Sequence, residues 1–212
     1  MTILDQIYES VVNGDAPKVK ELTRQALDDS IAASVILHDG LMTAMDEVGK
    51  RFERGDFYVP ELLVAGRAMT ASIEILKPYL VTAHVGAAGK VVLGTVAGDL
   101  HDIGKNLVKI MLEGAGFQVV DLGIDVQPAT FVEAVRKEQA QVLGLSALLT
   151  TTMGSMKLTI DALKEAGLRQ NVKVIVGGAP VTQSYADEIG ADGYAPDASR
   201  AVQVVRHMLG IK

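Results

Sequence analysis

Between Lys90 and the end of the chain, short uninterrupted apolar runs alternate with amphipathic stretches, and few folds accept that pattern. The runs are VVLGTVA (91–97), FQVVDLG (117–123), QVLGLSA (141–147), VKVIVGG (172–178) and a short GYA at 193–195. Helix-like segments separate them: near 104–114, from Pro128, from about Thr152 to Ala166, near 181–189, and from about Asp197 onward. A strand that is apolar on both faces must be covered on both faces, so this order predicts a parallel sheet with helices on either side. The expected class is α/β, with a flavodoxin-like, doubly wound, five-stranded parallel sheet. In such sheets ligands bind outside the carboxyl ends of the strands.

The first eighty residues follow a different period. Ile3, Leu4, Ile7 and Val11 recur at helical steps and stop near Asn13-Gly14. Asp15-Ala16-Pro17 reads as a cap and an early-turn proline, opening a helix that runs through Leu27. Ser30 is the expected cap of a third helix, with Val35, Leu37, Leu41, Met45 and Val48 facing inward. After the Arg54-Gly55-Asp56 turn, Pro60 opens a fourth helix expected to end before Lys77-Pro78. Four helices on short connections predict an antiparallel bundle. The small, Gly/Ala-rich stretch 81–89 reads as a linker and hinge. The expected domains are therefore a helical cap at 1–85 and a sheet domain at 90–212.

Composition removes several classes of function. With no cysteine, the chain has no disulfide, thiolate metal site or cysteine nucleophile. A net charge of −6 without a basic stripe, and only 4% aromatic residues, argue against nucleic acid as the partner. No apolar segment is long enough to span a membrane, and MTILDQIYES lacks the order of a signal peptide, so a cytoplasmic location is expected.

The carboxyl-end rule selects GDLHDIGKN, GID, SALLTTT, GGAP and PDAS, the segments that follow the five strands. Glycines and small polar residues there suit close approach of a ligand to the backbone, but they also suit ordinary strand-to-helix turns. The first segment holds more. Asp99 stands two residues before His101, just ahead of a helix. A neutral imidazole can bind a metal through one nitrogen while its other N–H donates to a carboxylate, which fixes the tautomer. A phosphate loop is excluded by count, because Gly98 and Gly104 enclose five residues and Asn106 stands where a hydroxyl is needed.

Asp99-x-His101-x-x-Gly104, Ser146-x-Leu148 and Gly177-Gly178 together resemble the three-part signature of base-off, His-on cobalamin-binding domains. The gaps of 41 residues (105–145) and 28 residues (149–176) are similar to those of that family. Val48-Gly49-x-x-Phe52 and Gly55-x-x-Tyr58-Val59-Pro60-Glu61 look like the helical cap that precedes the cobalamin domain of methionine synthase. The pair of modules resembles the cognate corrinoid proteins of methyltransferase systems over nearly the whole chain.

That resemblance implies a cobalamin or related corrinoid as cofactor, with His101 as the cobalt ligand in place of the cofactor's own base. Asp99 would accept from the free imidazole nitrogen, and Thr152 stands where methionine synthase has the serine completing that relay. Ser146, Leu148, Gly177, Gly178 and Ala179 would line the slot for the nucleotide tail, with Asp102, Gly104 and Thr150 in the same binding set. Phe52, Val59 and Pro60 match residues that cover the upper corrin face, although the same residues also suit a bundle core. The implied activity is methyl carriage: a methyl group accepted on Co(I) from a substrate-specific methyltransferase, then passed from methyl-Co(III) to a second one. The acceptor would be tetrahydrofolate or coenzyme M, with a reductive activator as a further partner. No catalytic residue beyond the ligand set is implied. A subunit of an adenosylcobalamin-dependent mutase, or a cobalamin storage or sensor module, remains the alternative.

Overall fold

A computed structural model of the chain describes residues 1–82 and 87–211. It divides into two compact units, Met1–Ala87 with Gly114–Gly116, and Ala88–Glu113 with Phe117–Lys212. Of the expected linker at 81–89, residues 83–86, with His84, lie outside the described residues, while residues 81 and 82 belong to the last helix of the helical unit.

In the helical unit, α1 (Ile3–Val12) opens with a capping box: the Thr2 hydroxyl accepts from the Asp5 N–H while the Asp5 carboxylate accepts from the Thr2 N–H. The Asp15 side chain caps α2 (Ala16–Asp28), with proline in its first turn. The third helix departs from expectation. Ser30 is not its cap; it lies in the left-handed region at φ 62°, and Ala32 precedes the helix without a side-chain bond. α3 (Ala33–Val35) continues into a π-helical segment, Ile36–Met42, and then α4 (Thr43–Glu53). The wider π turn shifts the phase of the apolar stripe. Ile36 and Gly40 turn inward with Leu41, Met45 and Val48, while Val35 is exposed and Leu37 half-buried.

The last helix of this unit, α5 (Val59–Thr82), carries Pro78 inside it instead of ending before it. Proline removes one helical donor but does not forbid continuation where packing holds the turn. α2 packs along α5. A buried hydrogen bond of 2.7 Å joins Thr23 and Ser72 between them.

The second unit alternates strictly: β1 (Lys90–Thr95), α6 (Ile103–Gly114), β2 (Gln118–Asp121), α7 (Pro128–Glu138), β3 (Val142–Ser146). It continues with α8 (Gly154–Glu165), β4 (Lys173–Gly177), α9 (Gln183–Ile189), β5 (Gly193–Ala195) and α10 (Ala198–Met208). All pairings are parallel, in the order β2-β1-β3-β4-β5. One face buries Val92, Leu143, Leu145, Val174 and Val176 against Phe131, Met156, Ile160 and Leu163. Each fully buried side chain of that size contributes about 1.5–3 kcal/mol.

Two consequences position the site. The chain leaves β1 outward to β2 and returns to β3, so the sheet reverses direction between β1 and β3, where such folds open a crevice. Register then aligns the strand ends: Thr95 pairs with Ser146, Ser146 with Gly177, and Gly177 with Ala195. Segments 41 and 28 residues apart in sequence thus leave the sheet side by side. Among the described residues, no helix is long and apolar enough to cross a membrane.

Candidate cofactor-binding site

The loop after β1 is built around one buried carboxylate. Asp99 is fully buried. Its Oδ1 accepts from the His101 backbone N–H at 3.0 Å and faces His101 Nδ1 at 2.8 Å. Its Oδ2 accepts from the Leu148 N–H at 2.8 Å, the Leu149 N–H at 3.3 Å and the Thr152 hydroxyl at 2.7 Å. The Thr152 oxygen also lies 2.9 Å from the Leu149 carbonyl. The shorter contact to a charged acceptor assigns its single proton to Asp99.

Burial acts to raise the Asp99 carboxyl. The hydrogen bonds from Thr152, from the His101 and Leu148 amides and from the His101 ring outweigh it, and hold the group well below the usual carboxylate range. An ionised carboxylate only accepts, so the proton of a neutral His101 ring sits on Nδ1 and Nε2 keeps its lone pair. The ring is 50% exposed. The backbone beneath it is held too: Thr95, the last residue of β1, is fully buried and donates its hydroxyl proton to the His101 carbonyl at 2.8 Å. The outcome is an imidazole with a fixed tautomer and one open nitrogen.

The structure brings Asp99, His101, Leu148 and Thr152 into one hydrogen-bonded set that joins the loops after β1 and β3. Ser146 and Gly177 stand in the adjoining row, both half-buried, with Gly178 beyond them. Thr150 and Ala179 are exposed. Asp102 is exposed as well, and its carboxylate accepts from the Asn106 side chain at 3.1 Å, which supports the first turn of α6. Phe52 and Val59 belong to the helical unit, where both are half-buried and neither is in the closed core; Pro60 is exposed.

The glycines divide into two kinds. A Cβ on Gly178, at φ +129°, would stand 1.8 Å from the Ala147 carbonyl oxygen, and one on Gly177 would stand 2.9 Å from the Ala195 oxygen. Neighbouring strand-end backbone therefore requires both, before any ligand is considered. A Cβ on Gly104 would meet no protein atom within 4 Å, so that glycine leaves open room at the start of α6.

Several site residues carry no motif. Thr95 is one. Leu100, Ile103, Ile124 and Leu149 are another group; with Leu148 of the Ser-x-Leu signature they are large apolar side chains exposed by 42–70% on or beside the loops after β1, β2 and β3. Exposed aliphatic residues at strand ends were a usable signal. Lys105 lies in the first turn of α6, beside the loop after β1. It is buried, and its ammonium donates to both Asp121 oxygens at 2.7 and 2.8 Å.

A lone imidazole, a buried carboxylate behind it and an apolar rim at a sheet's reversal point match a metal that arrives in its own macrocycle. One histidine would supply one protein ligand to such a metal, the exposed aliphatic side chains would offer area for a flat ring, and the glycine row would leave backbone free for a tail. The comparisons with known proteins agree. Models of the B12 binding domain match residues 89–203 and, for a second domain of that description, residues 3–77. The chain belongs to the B12-binding corrinoid proteins, and its cofactor is a corrinoid.

Among curated relatives, dimethylamine corrinoid protein 1 of Methanosarcina acetivorans is 49% identical over 177 residues, covering 83% of each chain. A corrinoid protein of Desulfitobacterium hafniense is 39% identical over 213 residues, covering 99% of each. Among solved structures, the methanol:cobalamin methyltransferase complex MtaBC of Methanosarcina barkeri matches with TM-score 0.88 at 29% identity. That match covers 98% of this chain and 80% of the other.

Proposed function

We propose that this chain is a methyl carrier that holds its corrinoid through His101 Nε2 and serves two methyltransferases in turn. When bound, the corrinoid supplies a cobalt centre able to take up and release a methyl group. The protein's part is ligation and placement. Asp99 keeps the proton on Nδ1, which leaves the Nε2 lone pair for cobalt and makes the ring a stronger donor. Thr152 and the Leu148 amide hold Asp99, so the ligand's orientation is fixed from the loop after β3. Ser146, Leu148, Gly177, Gly178 and Ala179 line the tail slot, with Asp102, Gly104 and Thr150 at its mouth. Phe52, Val59 and Pro60 supply apolar cover from the helical unit.

The methyl donor is a methylated amine, bound to a substrate-specific methyltransferase. Relatives at 42–49% identity named as dimethylamine corrinoid proteins support that class. The methanol:cobalamin methyltransferase complex supports the pairing of a corrinoid protein with a methyltransferase. The acceptor-side partner transfers to coenzyme M or tetrahydrofolate, and a reductive activator restores the working cobalt state. The domains act as a cap at 1–85 and a corrinoid domain at 90–212.

One observation carries the reading: His101 Nδ1 lies 2.8 Å from a buried Asp99 that Thr152 also holds. The test is electron paramagnetic resonance of the Co(II) form after reconstitution with hydroxocobalamin, using protein labelled with 15N-histidine. Wild type should show one strongly coupled protein nitrogen, and His101→Ala none. An unchanged nitrogen coupling in His101→Ala would overturn the assignment.

A further inference from the structure

We infer that Asp125, in the segment between β2 and α7, is a positioning residue for the His101 loop. The inference rests on the reading of His101 as the cobalt ligand. Asp125 touches that loop twice. Its side-chain Oδ1 accepts from the Gly98 N–H at 2.7 Å, and its own N–H donates to the Asp99 carbonyl at 3.0 Å. The two contacts close over consecutive residues, three and two positions before His101.

The place matters because Gly98 is the freest point of the loop. It adopts φ +84°, which glycine enters without cost, and it can leave as readily. Asp125 removes that freedom from outside. Asp125 itself sits at φ +51°, a region uncommon for residues other than glycine and tolerated best by Asn and Asp. Glycine would serve that backbone at least as well. The carboxylate therefore has a use beyond the turn, and the Gly98 amide is the partner the structure gives it.

The segment that carries Asp125 is itself held against β1. The Thr95 N–H donates to the Gly123 carbonyl at 3.0 Å, the Val126 N–H donates to the Thr95 carbonyl at 3.0 Å, and Val96 pairs with Val126 in a parallel bridge. Behind it, Asp121 accepts from Lys105 in α6 and from the Gly123 N–H at 3.0 Å. From the other side, the Ser155 hydroxyl donates to the Ala97 carbonyl at 3.0 Å. Asp125 is thus a fixed arm reaching across residues 98 and 99, and it sets where His101 is presented.

Two substitutions separate the roles of side chain and backbone. Asp125→Gly keeps the left-handed backbone and removes the acceptor. Asp125→Asn keeps the backbone and an acceptor oxygen while removing the charge. On the full-length apo protein, hydrogen exchange at the Gly98 amide should be about tenfold faster in Asp125→Gly than in wild type. The Kd for hydroxocobalamin should rise about tenfold, the lower range for partners of metal ligands. Asp125→Asn should recover most of both losses.

Wild-type exchange and Kd in Asp125→Gly would overturn the inference. So would an Asp125→Asn protein as impaired as Asp125→Gly, because charge and not hydrogen bonding would then be at work. Exchange at Gly98 is read without corrinoid. If it accelerates as expected while the wild-type Co(II) spectrum lacks a protein nitrogen, the ligand assignment fails and the loop contact stands as structure only.

Discussion

In the sheet unit the candidate residues are held by hydrogen bonds that allow little alternative: Asp99 is fully buried, with Thr152, Leu148 and both His101 groups directed at it. In the helical unit Phe52 and Val59 are half-buried apolar side chains whose position follows from the helix that carries them. The difference fits the two tasks proposed for these residues. A metal ligand must present one lone pair in one direction, and only a network of directional bonds does that. An apolar cover needs area, which many side chains supply. Substitutions should therefore be sharply selective in one unit and graded in the other.

The largest effect is expected at Gly178. An Ala there meets both an unfavourable φ and the Ala147 carbonyl oxygen, so Gly178→Ala should cost about 4 kcal/mol or more. Urea denaturation of the apo protein reads this, and a wild-type midpoint would show that the strand ends are softer than their register implies. Next is Asp99→Ala, which strips partners from the Leu148 amide, the Thr152 hydroxyl and His101. A loss on the order of 3 kcal/mol in stability, with 10- to 100-fold weaker corrinoid binding, is expected.

Thr152 sharpens the same side of the comparison. Thr152→Val should cost about 1–2 kcal/mol, and Thr152→Ser much less, because the hydroxyl and not the methyl holds Asp99. The pH dependence has a definite sign. Asp99 is depressed in the folded state, so its contribution is complete above the unfolded carboxyl value near about pH 4 and fades as pH falls further toward the folded value. Asp99→Asn should flatten the acid limb of stability between about pH 4 and 2. An unaltered limb would mean that other carboxylates govern it.

The smallest effect belongs to the helical unit. Phe52→Ala should lower stability by about 1 kcal/mol and leave the Co(II) nitrogen coupling intact. Loss of that coupling would break the comparison, since a residue read as cover would then govern ligation.

The sheet was legible because apolar strands in a parallel sheet leave a one-dimensional trace: each run is continuous and each is bounded by a turn. His101 and Asp99 were legible as a pair because two-residue spacing is a local matter. The third helix was read out of phase, since nothing in ILHDGLM announces a π turn, and Ser30 and Pro78 show local propensity yielding to packing. Thr95 and Asp125 were missed as site residues because their partners, the His101 carbonyl and the Gly98 amide, lie in the loop after β1, whose path the sequence does not give. The glycine pair was recognised, but the first reason for it lay elsewhere: the Ala147 and Ala195 carbonyls require Gly178 and Gly177 whether or not a tail lies beside them.

By itself, the order of residues determined that there would be a helical segment, then a parallel sheet, with Asp99 and His101 at the end of its first strand. Those properties depend on periodicity and on neighbours in sequence. Only the tertiary structure decided that Thr152 reaches Asp99 at 2.7 Å, that Leu148 and Leu149 turn their amides to the same oxygen, and that Asp125 closes over Gly98. Each of those bonds joins segments separated by 27 to 53 residues. Strand register sets such distances, and register is a property of the assembled sheet, which no single segment carries.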